Sequence, residues 1–128
     1  MTMKTTATLE IDRDQWIPFL SGFTKDNRGA HARIEVISAD LGSQVLVDGK
    51  PLEGVSADVK DRENTVWISL GSTPDDHFNH SVPGAVALRV LTSTSATGAT
   101  MEIEDDAGTK TLLLLTSPSA TALPPMGM

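Results

Sequence analysis

The sequence predicts an α+β fold in which one N-terminal helix packs on a curled, mainly antiparallel sheet or small β-barrel of about six to seven strands. Three observations carry this prediction. One early segment has helical apolar spacing, the remainder alternates apolar and polar residues, and turn residues separate the alternating runs. The 128 residues fit a single domain, and its core must be mainly aliphatic because aromatic residues make up only 4% of the chain.

The helix is predicted over about residues 12 to 25. Asp12 is the candidate N-cap, with Gln15 three residues later in a relaxed capping box. Pro18 lies past the first turn of this predicted helix and removes a hydrogen bond, so we expect a kink or a loose start there. The apolar stripe that would face the sheet consists of Trp16, Phe19, Leu20 and Phe23.

Alternating residues from position 30 onward predict short strands. The strand predicted at residues 44–47 is followed by Asp48-Gly49, a dipeptide favoured in tight hairpin turns, so we expect a hairpin to turn there. Four consecutive leucines at residues 112–115 break the alternation and predict a central strand, buried on both faces beneath the helix.

Composition sets the predicted domain limits. Residues 1–10 are expected to form an N-terminal arm, residues 11–117 the globular domain, and residues 118–128 a Pro-rich flexible tail. Residues 1–9 contain one lysine and no long apolar run, which predicts no secretory signal and a cytoplasmic location. The longest apolar run, residues 112–115, is too short to span a bilayer.

The charge and the absence of cysteine exclude several functions. The formal net charge of −7 argues against binding to nucleic acid or to an anionic membrane, both of which favour clustered Lys and Arg. Without cysteine there is no disulfide framework, thiolate metal site or thiol nucleophile.

Groups able to bind a metal or to titrate near neutral pH gather in one segment. Asp75, Asp76, His77 and His80 contain the donor types of a divalent transition-metal site, and two of the chain's three histidines are among them. A site with three of these ligands and one open position would activate water. The same residues are therefore the candidates for a metal-dependent enzyme.

The backbone conformation of that segment decides whether the ligands meet. Thr73-Pro74-Asp75-Asp76 resembles a helix start, and a helical turn would bring both imidazoles to one face. An extended segment instead places Phe78, His80 and Val82 on one face and His77 on the other. We favour the extended conformation, because it gives Phe78 and Val82 a common buried side, and we expect no bound metal.

Other features point to no specific chemistry. The nucleophile elbow, the S-x-x-K box, the P-loop and the dinucleotide fingerprint are absent from the sequence. Acidic residues at 58–63 and 102–106 flank predicted turns, where carboxylates are ordinarily solvated. Trp67 falls on the polar face of its predicted strand, so either the helix or the C-terminal tail covers it or it marks a partner surface.

Several motifs occur together along the chain. They are I-x-R-D-x-W-x-x-F-L-x-x-F at residues 11–23, G-x-Q-V at 42–45, P-L-E-G-V-S-A-D at 51–58 and T-P-D-D-H-x-x-H-x-x-P at 73–83. In this combination the chain resembles a family of short, uncharacterised bacterial proteins known only as a domain of unknown function. The resemblance implies a bacterial, soluble, single-domain protein and supplies no activity, ligand or catalytic residue.

The leading functional hypothesis is a non-enzymatic interaction or accessory domain that binds a protein partner or forms a homodimer, without a cofactor. It rests on the missing catalytic motifs, the acidic charge and the open edges expected of such a sheet. One alternative is metal binding or metal-dependent catalysis by residues 75–80. The other is a β-barrel that encloses a small ligand.

Overall fold

The computed structural model describes residues 6–59, 64–93 and 99–116. It confirms the α+β prediction of one helix on a curled antiparallel sheet, but the sheet has eight strands. The additional strand lies at residues 6–10, within the segment expected to be an arm. The helix α1 spans Trp16–Asn27, and the strands in chain order are β1 (Thr6–Glu10), β2 (His31–Ser38), β3 (Gly42–Asp58), β4 (Thr65–Leu70), β5 (Phe78–Val82), β6 (Ala85–Ser93), β7 (Thr100–Asp105) and β8 (Lys110–Thr116).

The strand order is β1-β6-β7-β8-β2-β3-β4-β5, and every neighbouring pair is antiparallel. Strands β2 to β5 form one meander and strands β6 to β8 form a second, and β2 pairs with β8 where the two meanders join. Within the described residues β1 and β5 each pair with one strand, so the sheet curls without closing. No helix in this part of the chain has the length and apolarity needed to cross a membrane.

The helix begins later than predicted, for a reason that involves Pro18. Arg13–Gln15 form a 3-10 turn and α1 starts at Trp16, so Pro18 falls in the first turn, where a missing N–H breaks no helical hydrogen bond. Asp12 precedes the 3-10 turn but makes no side-chain capping hydrogen bond. The loose start expected at Pro18 is therefore a 3-10 entry into the α-helix.

The hairpin predicted at Asp48-Gly49 is wrong. The chain continues through both residues as the single long strand β3. Gly49 has a φ of +105° and lies at a register shift between β2 and β3, so its left-handed backbone forms a bulge. Up to Pro51 the strand pairs with β2, and from Leu52 it pairs with β4 on its other edge.

The core lies between α1 and the concave face of the sheet, where Trp16, Leu20 and Phe23 of the helix are buried. The strand with four leucines is central, as predicted, but its burial alternates: Leu113 and Leu115 are buried, and Leu112 and Leu114 are half-buried. The helix packs chiefly on β3, so the expectation that it covers the leucine strand is wrong. The tail expected at residues 118–128 lies outside the described residues.

Candidate functional site

Asp75 and Asp76 lie in a short 3-10 turn, Pro74–Asp76, with proline at its start. This agrees with the helix-start signal in the sequence, although the turn ends after three residues. The Asp76 carboxylate accepts a hydrogen bond from the Lys50 ammonium of β3. That bond holds the pKa of Asp76 below its usual value. Asp76 is therefore occupied by an ion pair that ties the turn to β3.

The two histidines occupy different environments. His77 follows the turn in an extended conformation, and its Nε2 lies 3.1 Å from Glu53 Oε1. His80 pairs across the sheet with the buried Ile68 and is itself half-buried, and this burial lowers the pKa of His80. Because β5 is extended, alternation directs the two imidazoles to opposite faces. Among the described residues, no three His, Asp or Glu side chains form a group that could hold a metal ion.

Gly71 holds the turn close to β3. Its N–H donates to the Pro51 carbonyl at 2.8 Å, and its φ is +111°. A Cβ at this position would lie 2.6 Å from the Asp76 carbonyl oxygen. The turn and β3 enclose a shallow groove of about 310 Å³, lined by Glu53, Gly71, Ser72, Thr73, Pro74 and His77.

These contacts attach the turn to β3. Two titratable side chains of the segment contact β3, and each has a partner there: Asp76 pairs with Lys50, and His77 pairs with Glu53. Sequence reasoning missed Lys50 and Glu53, because they lie more than 20 residues before their partners and only the β3–β4–β5 register brings them together. The T-P-D-D-H motif therefore describes a tethered turn in this structure.

A second ionic cluster lies on the outer face of the sheet. The Arg89 guanidinium contacts Glu10 Oε1 at 3.2 Å, Glu102 Oε2 at 2.6 Å and Glu104 Oε1 at 3.0 Å. The hydrogen bonds that Arg89 donates to the carboxylates of Glu104 and Glu102 raise the pKa of Arg89. These two acids, which the sequence suggested were solvated turn residues, are instead partly buried partners of one arginine.

The first half of β3 has an uncovered edge. Residues 42–48 pair with β2 on one side, and on the other side no strand of the described chain faces them. Four large apolar side chains are exposed in and beside this hairpin, and we call them the hairpin patch. It consists of Ile37 (37% exposed), Leu41 (68%), Val45 (48%) and Leu46 (40%).

Trp67 is also partly uncovered. It is 39% exposed and lies between Ser56 and Ser81 on the neighbouring strands. Because α1 packs against the opposite, buried face of the sheet, the helix does not cover Trp67. The other cover expected from the sequence, the C-terminal tail, lies outside the described residues.

These features define a small antiparallel α+β domain with one helix, tethered surface turns and exposed apolar strand residues. The chain belongs to DUF5335, a family of unknown function whose model matches residues 7–124. It is also similar to an uncharacterised protein of Aquifex aeolicus (strain VF5), with 31% identity over 74 residues. That match covers 58% of this chain and 65% of the relative, so the chain spans less than two thirds of that relative's length. No solved structure matches with significance.

The comparisons confirm the resemblance to an uncharacterised bacterial family of unknown function. Neither the family nor the relative has a described activity.

Proposed function

We propose that this is a non-enzymatic interaction domain that forms a homodimer through the uncovered edge of β3, residues 42–48. The observation that supports the proposal is the coincidence of this edge with the hairpin patch. An unpaired strand edge presents N–H and C=O groups that a second strand can satisfy, and exposed apolar side chains beside it gain from burial.

The partner we propose is a second copy of this chain. The formal net charge is −7, yet residues 41–47 contain no charged side chain. In a two-fold antiparallel pairing, this segment would lie opposite itself without placing like charges across the interface.

The non-enzymatic part of the proposal rests on the ion pairs. Acidic and basic residues beside the candidate metal segment, residues 75–80, and on the outer face contact one another, as in the Lys50–Asp76 pair and the Arg89 cluster. We therefore include no cofactor. Metal analysis of untagged protein purified without chelator tests this part, and one equivalent of zinc, manganese or iron per chain would contradict it.

Light scattering after size-exclusion chromatography tests the homodimer. Over about 5 to 500 μM protein we expect a mass approaching two chains, and Val45→Lys should give one chain, because a charge at the centre of the edge opposes its own copy. Val86→Lys is the matched control: Val86 is 47% exposed, close to the 48% of Val45, but lies in β6. A monomeric wild-type protein at every concentration would overturn the proposal, as would equal dissociation of both variants.

A further inference from the structure

We propose that the groove between α1 and the second half of β3 is a peptide-binding site that takes an extended acidic segment as an added strand. The groove has a volume of about 430 Å³. We call it the helix–strand groove, and it is lined by Ile17, Ser21, Thr24, Lys25, Arg28, Val55, Ser56 and Ala57.

The backbone of β3 provides the first argument. The Thr24 hydroxyl donates to the Val55 carbonyl at 3.1 Å and accepts from the Val55 N–H at 2.9 Å. Val55 therefore turns its N–H and C=O away from β4 and toward the helix. By the alternation of a strand, Ala57 turns its own N–H and C=O to the same edge. No hydrogen bond within the described chain reaches either group of Ala57 there.

Charge provides the second argument and identifies the ligand. Lys25 and Arg28 line the groove and no acidic residue does, although the chain has 17 acidic and 10 basic residues. Neither side chain forms an ion pair within the described residues, and Arg28 only donates Nε to the Glu53 carbonyl at 3.3 Å. Two unpaired cations beside open backbone groups favour a peptide that carries carboxylates.

Apolar contacts provide the third argument. Ile17 is 53% exposed on the helix side of the groove, and Ala57 is half-buried on the strand side. An added strand directs alternate side chains to one face, so every second residue of the peptide would pack between these two while the carboxylates reach Lys25 and Arg28. We therefore expect a ligand that alternates small apolar and acidic residues.

This site is separate from the proposed dimer interface. Strand β3 has two edges, one that pairs with β2 and one that pairs with β4. The uncovered edge at residues 42–48 is on the β4 side, whereas the free N–H and C=O of Ala57 are on the β2 side. Peptide binding can therefore be measured whether the protein is a monomer or a dimer.

A ¹⁵N-correlation NMR titration of the full chain tests the inference with three acetylated and amidated heptapeptides. They are Ser-Glu-Val-Glu-Val-Glu-Ser and two versions of it in which Gln or Lys replaces all three Glu residues. We expect the Glu peptide to shift the amides of Ser56, Ala57 and Lys25, and to bind at least about fivefold more tightly than the Gln peptide. Shifts that bypass Ala57, or equal affinity for the three peptides, would overturn the inference, as would no binding at millimolar concentration.

Two variants locate the site. Lys25→Gln should weaken binding of the Glu peptide by about threefold or more, whereas Lys110→Gln, an exposed lysine on β8, should leave it unchanged. Ala57→Pro removes the N–H at the open edge, where proline is tolerated, and should abolish the shifts. If Ala57→Pro does not fold, the Lys25→Gln and Lys110→Gln pair still decides, because equal affinities would reject the groove.

Discussion

Trp16 links the start of the helix to the strand segment before it. Its ring is 1% exposed, and its Nε1 donates to the Ile11 carbonyl at 2.9 Å. We expect Trp16→Ala to lower the free energy of unfolding by ~3–5 kcal/mol, because it leaves a large cavity in the core and an unpaired carbonyl. Urea denaturation measures the change, with exposed Ile17→Ala as control, expected within ~0.5 kcal/mol of wild type. A loss below ~1 kcal/mol for Trp16→Ala would mean that the helix does not dock as described.

His80 is expected to make stability depend on pH. Burial lowers its pKa in the folded state below the ordinary value of 6.5, so below that pH the unfolded chain binds more protons than the folded one. The contribution of neutral His80 is therefore fully present above pH 6.5 and declines as pH falls from 6.5 through the lower folded-state pKa. Urea denaturation should give a lower free energy of unfolding at pH 5.5 than at pH 7.5.

Two histidine variants test whether His80 causes this loss of stability. His80→Ala should reduce the difference in stability between the two pH values, whereas His77→Ala leaves His80 in place and should retain the loss that His80 causes. At pH 7.5 His80→Ala should also cost more stability than His77→Ala, since only His80 shares the inner face with Phe78 and Val82. If both variants unfolded at the wild-type urea midpoint, the imidazole of His80 would contribute nothing to the core.

The turn between β4 and β5 depends on Gly71. Gly71→Ala should destabilise the protein by about 3 kcal/mol or more, because it combines a left-handed backbone with a Cβ 2.6 Å from the Asp76 carbonyl oxygen. Gly42→Ala is the control: it also has a positive φ, +69°, but its Cβ would meet nothing within 4 Å, so about 1 kcal/mol is expected. Equal losses in thermal or urea denaturation would mean that the contact with Asp76 is unimportant.

Local patterns predicted the elements better than they predicted their ends. The apolar stripe located α1, because the period of a helix is a property of neighbouring residues. Asp48-Gly49 misled, because the same positive φ that suits a hairpin turn also suits a bulge, and pairing of the following residues with β4 determines which one forms. At the candidate site, alternation predicted correctly that His77 and His80 face apart, but the contacts with Lys50 and Glu53 depend on strand register.

For the molecule as a whole, the fold class could be predicted and the strand order could not. Alternation and turn residues are local, and they indicated an antiparallel sheet with one helix. The pairings of β1 with β6 and of β2 with β8 join distant parts of the chain, and no local pattern encodes them. The eighth strand was missed for this reason: residues 6–10 gain their partner only from β6.

The two meanders join where β2 pairs with β8, which we call the seam, and forming this pairing should limit the rate of folding. Within each meander the partners are close in sequence, so closing their hairpins costs little chain entropy, whereas the seam pairs His31 with Thr116. We expect Leu113→Ala, in the seam, mainly to slow refolding, and Val82→Ala, in the edge strand β5, mainly to accelerate unfolding. Stopped-flow fluorescence in urea separates the two rates. If Leu113→Ala changed only the unfolding rate, the meanders would join after the folding transition state. If it slows refolding, the native state forms only when two prefolded sheets meet.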